Sequence, residues 1–444
     1  MSARLRILLP FLLLTAIVLP AAAWAAPTIV NAAADPALVK PGDTVKFSCT
    51  ITDTENLVAR VTGTIREVSY MSAPFTRGEG GVWSFALPVP NGAPAGTYHI
   101  DLRLLAADGK IVKPAAGPES IEVKIAGEEA QVEAAPAAPD PAPDLLALEV
   151  KGDAGTFMLY SPYRRYSGWY KGQLHCHTVN SDGKCTPAQL EAKYRAIGCD
   201  WIAITDHETV TADPRAEGGQ DVGAFITALE HGTPEGHANL IGVKAKIGGN
   251  CQQAINQTVA QGGLFMLNHP DWVACYDLRE MERLSGYQLI EIMNGGCLGD
   301  GQQDGTRAWD FILGKGKRVW GVATDDFHGG PDAEVGKGLV VVNAPELTAE
   351  AIFASLKNGN FYATQGPQMA LSLDDGVLSV TSPGNVSIFF RGPHGLAYQV
   401  DEREPGADPA RYVFKGDEGY VRVEVYNKET GKRAWSQPIF VEKK

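Results

Sequence analysis

The stretch from Leu174 to Gly183 reads LHCHTVNSDG: an apolar lead-in, two histidines one residue apart, and an Asp-Gly turn. On an extended chain the H-x-H spacing puts both imidazoles on one side, as gripping a single cation requires. Asp182, on the turn that follows, can swing back toward the same point. Cys176 alternates away from its two neighbours and reads as packing. The theme recurs along the chain, where short apolar runs end in metal-competent side chains. WIAITDH ends in His207, FITALEH in Glu230 and His231, LFMLNHP in His269, and VWGVATDDFH in Asp326 and His328. Seven of the nine histidines fall between His175 and His328, against about three for an even scatter. A metal site produces such enrichment.

Groups this far apart in sequence meet only if the strands carrying them end on one face. A parallel sheet, open or closed into a barrel, does this. The local signals agree: Thr186 caps a helix with Pro187 at its first position and Gln189 completing a capping box, Gly198 closes it, and the strand Trp201 to Ile204 follows at once. Repeated units of this kind predict an α/β region over 145–364. Buried together without a cation, these imidazoles and carboxylates would be costly to desolvate. Nitrogen and oxygen donors without thiolate suit Zn, Mn or Fe. The set is too large for one tetrahedral ion, so two to three divalent ions with a bridging carboxylate are expected. Between His231 and His237, the phrase GHANLIG, feeding a strand, favours His237.

The rest of the chain sets the context. Residues 1–25 carry Arg4 and Arg6, an apolar run and an Ala-Trp-Ala site, which predicts a signal peptide and an exported, periplasmic or secreted protein. No later run is long and apolar enough to predict a membrane span. Alternating strands over 27–125 predict an immunoglobulin-like β-sandwich. Residues 126–144, rich in Ala, Pro and acids, predict a semi-rigid linker, and strand patterns over 365–444 predict a small C-terminal β-domain. An oxidising compartment permits disulfides, and Cys251 with Cys275 is a candidate pair. The net charge of −13, with no basic block, gives no expectation of a nucleic-acid-binding surface.

LHCHTVNSDG, AITDH, LNHP and TDDFH, in that order, resemble the four motifs of the PHP (polymerase and histidinol phosphatase) superfamily of metallohydrolases. LEHGTPEGHANLIG and RAWSQPIF are similar to its exported carbaryl hydrolase-like branch. The resemblance covers roughly 168–367 strongly and the C-terminal region less so. It implies a distorted (β/α)7 barrel and a trinuclear centre. Carried over by motif, His175, His177, Glu230 and Asp326 would hold one ion, Glu230, His237 and His269 a second, and Asp182, His207 and His328 a third. Asp326 rather than Asp325 fits the D-x-H spacing.

Such a centre activates water between two cations about 3.5 to 4 Å apart. Asp206, Asn268, Asn294 and Asp271 are candidates for orienting ligands or protonating a leaving group, and Lys184 for an anionic substrate. The expected activity is hydrolysis of a small phosphoester. A carboxyl or carbamate ester is the alternative, and a non-catalytic envelope- or glycan-binding protein is the rival of another class.

Overall fold

The structure is a computed structural model that describes residues 25–444 except 41–42, 66–71, 90–95, 108–109, 127–137, 153–154, 218–222, 234, 246, 271–275, 277 and 299–304. Nearly all of the expected signal peptide lies outside the described residues, as do Asp271 and Cys275. Among the described residues no helix is long and apolar enough to cross a membrane. The chain divides into two compact units, Met1–Gly63 with Ala73–Gly127 and Thr64–Ser72 with Glu128–Lys444.

The N-terminal strands form two sheets. Thr28–Asp35, Thr44–Thr52, Val82–Pro88 and Thr76–Arg77 pair antiparallel in that order. The second sheet runs Leu38–Val39, Ser120–Ile125, Gly96–Leu105, Arg60–Ile65 and Ser72–Pro74. Alternation decides what each strand buries: in Thr44–Thr52 the side chains of Val45, Phe47, Cys49 and Ile51 point inward. Phe85 joins the sheets, stacking on Phe47 at 5.1 Å and meeting Phe75 edge-on at 4.8 Å.

The second unit is a mixed α/β fold with many strands and few helices. A five-stranded sheet runs in sequence order through Ala228–Thr233, Gly236–Ile241, Leu264–Leu267, Leu289–Asn294 and Trp320–Thr324. Gly168–Gln173, Trp201–Ile202 and Ala224–Phe225 lie side by side and parallel at the end of a twelve-stranded sheet. Among the described residues no continuous ladder closes these strands into the expected barrel. Two isolated parallel bridges, Cys176 with Phe327 and His207 with Glu230, link the two sheets instead. The β/α alternation breaks where Ala228–Thr233 and Gly236–Ile241 form an antiparallel hairpin. That turn puts the start of the second hairpin strand beside the end of the first. His237 at a strand start thereby reaches the rim where the other runs finish.

The capping box of Thr186 and Gln189 forms at the start of helix Pro187–Ala196. The C-terminal strands do not stand apart: Tyr420–Asn427, Arg433–Ser436 and Ile439–Lys443 belong to the twelve-stranded sheet that carries Gly168–Gln173. Gln437 extends this union, accepting from Gly321 N and donating to Gly321 O, both at 2.8 Å. Residues 138–144 of the expected linker are likewise fastened. Ala138 N donates to Asn256 Oδ1 at 2.7 Å, and the Asp140 carboxylate receives Ser285 Oγ at 2.9 Å and Lys317 Nζ at 3.0 Å.

Partial burial alone would raise the Asp140 pKa, but Lys317, Gly286 and Ser285 outweigh it and hold the carboxyl below its usual range. Because the folded pKa is depressed, this anchor contributes above the unfolded carboxylate value of about 3.9 and fades as pH falls through the lower folded value. Asp140→Asn should therefore cost less than about 1 kcal/mol at neutral pH, the range for a half-exposed pair, and nothing at the acid end. Denaturant midpoints of both proteins measured from acid to neutral pH would check this, and a gap that widens toward acid would refute it.

Candidate metal centre

Gln173 ends the pairing of the first site strand: its Oε1 accepts from Leu174 N and His175 N at 2.9 and 3.0 Å, and its Nε2 donates to Gly338 O at 3.0 Å. The next residues are held by neighbours rather than by a ladder. Asp326 N donates to His175 O at 3.0 Å and His177 N to Phe327 O at 2.9 Å. This exchange locks the H-x-H run against the D-x-H run. Gly183 lets the Asp182 turn press close, since a Cβ there would fall 2.4 Å from the His177 carbonyl oxygen. His269 and Asp326 adopt left-handed backbone, with φ of 28° and 49°. Such conformations cost about 1 to 3 kcal/mol each and persist where the surroundings enforce them.

All nine expected ligands come together. Glu230, 1 % exposed, is the hub. Its Oε2 lies 3.3 Å from His175 Nε2, 3.2 Å from His177 Nε2 and 3.3 Å from His207 Nδ1. Its Oε1 lies 3.2 Å from His237 Nδ1 and 3.5 Å from His269 Nε2. Asp326 Oδ1 stands 3.2 Å from both His175 Nε2 and His177 Nε2. Toward the surface, Asp182 approaches His328 Nε2 at 3.3 Å and His177 Nδ1 and His207 Nε2 at 3.6 Å.

Three groups of donor atoms have the closeness that one ion demands: His175, His177, Glu230 and Asp326; His207, Glu230 and His237; and His177, Asp182, His207 and His328. The first has the membership expected from the motifs. In the second His207 takes the place assigned to His269, which stands beside it with ring centroid 5.3 Å from His237. The third gains His177. His231 points elsewhere, with Nδ1 2.8 Å from Glu208 Oε1.

The donors fit metal ions. His175 Nε2, both ring nitrogens of His177 and Asp326 Oδ1 are buried yet make no hydrogen bond, an arrangement proteins otherwise avoid. Charge explains why the cluster needs cations. Burial opposes charging His175, but Asp326, Glu230 and Glu291 outweigh it and raise its pKa well above the usual imidazole value. His177 is pushed to about 9 in the same way, against burial, by Asp326 and Glu230. Burial brings His207 down to about 4. Asp182, despite burial, is held near 2 by His328, His207 and His177. A divalent ion supplies the positive charge that the carboxylates otherwise draw from protons.

Asp206, Asn268 and Asn294 sit behind the ligands and position them. Asp206 accepts from Thr178 N at 2.7 Å, Thr178 Oγ1 at 2.6 Å, Ser181 Oγ at 2.7 Å and Thr211 Oγ1, which fixes the loop leading to Asp182 and leaves its oxygens occupied. Asn268 Nδ2 donates to Glu230 Oε1 at 2.8 Å. Asn294 Nδ2 donates to Asp326 Oδ2 at 3.1 Å and to Glu291 Oε2 at 2.9 Å.

Glu291 was absent from the expected site. Its Oε1 faces His175 Nδ1 at 2.9 Å and accepts from Thr324 Oγ1, while Oε2 accepts from His269 N at 2.6 Å. The carboxylate fixes the Nδ1–H tautomer of His175 and so aims Nε2 at the ligand cluster. A signal was present in LIEIMN, where a single carboxylate interrupts an apolar strand and must find a buried partner. Glu291→Gln should lower metal affinity or turnover by about 10- to 100-fold. Metal titration of the variant would check this, and an unchanged affinity together with unchanged turnover would remove the role.

No protein-family profile and no curated protein matches the chain. Among solved structures, the chain is similar to a Bacteroides vulgatus two-domain protein described as containing a predicted PHP-like metal-dependent phosphoesterase. The identity is 18 %, over 66 % of this chain and 94 % of that one, with a TM-score of 0.40. It is also similar to a DNA-bound Pseudomonas fluorescens alkylpurine DNA glycosylase AlkC, at 15 % identity over 23 % and 31 % of the two chains and a TM-score of 0.17. A tetra-tandem repeat of a large adhesion protein scores 0.15 at 12 % identity, over 92 % and 74 %. Scores this low carry no argument about this chain, whose chemistry rests on the geometry above.

Proposed function

We propose that this chain is an exported metal-dependent hydrolase of the PHP superfamily, from its carbaryl hydrolase-like branch, acting on a small phosphoester. The carrying observation is the Glu230 hub, with five imidazoles ranged about one buried carboxylate within 3.5 Å. On this reading the two bridged sheets are a distorted barrel opened at its seams. Two to three divalent ions would be held by the nine ligands, and bound there they supply Lewis-acid stabilisation and lower the pKa of water.

The chain's own residues do the positioning. Glu291 holds the His175 tautomer, Asn268 orients Glu230, Asn294 aligns Asp326, and Asp206 keeps Asp182 at the open side. A cavity of about 470 Å³ lies against Asp326 and His328 and is lined also by Asp325, Phe327, Glu334 and Lys337. Lys337 supports an anionic substrate, whereas Lys184 is exposed and is not among the residues lining this cavity.

Purified protein should carry two to three transition-metal ions per chain by elemental analysis. Loaded with Zn, Mn or Fe, it should hydrolyse p-nitrophenyl phosphate or bis-p-nitrophenyl phosphate faster than an aryl ester. Ester turnover alone would replace the substrate class with a carboxyl or carbamate ester. Absence of bound metal would overturn the hydrolase.

A further inference from the structure

A second concentration of charge lies in a cavity of about 450 Å³ that shares no lining residue with the metal centre. Four guanidinium groups, Arg307, Arg391, Arg422 and Arg433, line it with two carboxylates, Asp310 and Glu424. Both carboxylates are occupied. Asp310 receives Arg422 Nε at 2.7 Å, Arg422 Nη2 at 2.6 Å and the Tyr420 hydroxyl at 3.0 Å. Glu424 receives Arg391 Nε at 2.7 Å and Arg433 Nη1. Two positive charges are left over, in a chain whose net charge is −13.

Three features of the cluster are unfavourable unless an anion joins it. Arg422, 1 % exposed, keeps Nη1 without a hydrogen bond, its nearest carboxylate oxygen being 3.6 Å away on Glu424. Arg391 and Arg422 sit directly opposite each other on paired strands, where like charges repel. Arg307 lies in the first turn of helix Thr306–Gly314, which has no acidic residue there and no side-chain cap, and a cation at that end opposes the helix dipole. Stacking fixes the guanidinium planes: Arg422 lies 5.0 Å from the Trp309 ring, Arg391 4.8 Å from Phe389 and Arg433 5.1 Å from Tyr426. The spare donors thus belong to pre-set groups on a helix and three separate strands.

We propose that this cavity binds a small tetrahedral dianion, inorganic phosphate or sulfate. The leftover charge of two matches a dianion. Donors arriving from the helix and the three strands suit a tetrahedral ligand better than a planar carboxylate, and arginine forks recognise such oxyanions well. The site does not depend on the hydrolase reading.

The test uses the whole chain and isothermal titration with sodium sulfate, against sodium chloride at equal ionic strength. Saturable sulfate binding is expected, weakened at least about tenfold by Arg307→Ala and by Arg433→Ala, with bound metal per chain unchanged. Arg307 is exposed and takes part in no ion pair among the described residues, so its variant should fold. Sodium acetate should bind at least about tenfold more weakly than sulfate. No saturable sulfate binding, or binding that both variants leave intact, would overturn the site. Acetate binding as tightly as sulfate would overturn the dianion.

Discussion

Glu230→Gln should lower turnover at least about 10³-fold and reduce the metal bound per chain. The carboxylate faces His175, His177 and His207 with one oxygen and His237 and His269 with the other. An amide keeps the shape and the Asn268 contact on its oxygen side but removes the charge and turns one acceptor into a donor. That donor would point its hydrogens at imidazole nitrogens meant for cations. Several kcal/mol of charge stabilisation is what such centres supply, and at 1.36 kcal/mol per decade this is a thousandfold or more. His231→Ala, one residue along the strand, is the control. Its ring pairs with Glu208 outside the cluster, so metal content should stay within error of the parent. Elemental analysis and turnover of the two variants decide the matter: full metal and full activity in Glu230→Gln would dismantle the centre.

Arg422→Leu should destabilise the second unit by about 3 to 5 kcal/mol, the cost of stripping one partner from a buried ion pair. Asp310 is 4 % exposed, and without Arg422 it keeps only the Tyr420 hydroxyl. The leucine cannot replace the stacked plane over Trp309 either. Adding Asp310→Leu should recover much of the loss, because the uncompensated charge goes with it. Equilibrium denaturation followed by tryptophan fluorescence reads both steps. A single variant as stable as the parent, or a double variant no better than the single, would contradict the account.

How much of this was legible in the sequence depends on range. Most ligands announced themselves locally, as polar residues ending an apolar run, with Asp182 on its turn and His237 at a strand start the exceptions, and the capping box at Thr186 was readable residue by residue. The choice of His237 over His231 came from one strand-entry phrase, and the hairpin geometry supplies the reason. Pairings between distant segments left little trace. Nothing near Tyr420 signals that its strand extends the sheet of Gly168–Gln173, nor near Asp140 that Lys317 awaits it. The hydroxyls of Thr178, Thr211 and Thr324 are ordinary in sequence and gain their roles only from the carboxylates beside them. The expected even alternation of strand and helix failed where Ala228–Thr233 and Gly236–Ile241 pair as an antiparallel hairpin, and the Pro-x-Gly between their apolar runs is a turn signal in the sequence.

The paired contacts of Gln437 with Gly321 bear on how this molecule could be taken apart. The strand of Gly321 goes on to deliver Asp326, so Gln437 holds the register of a segment more than a hundred positions earlier. A protein cut before Tyr420 would expose raw sheet edges and lose that grip together. The rim that carries the metal-competent side chains would then be set only once the strands from Tyr420 onward have paired.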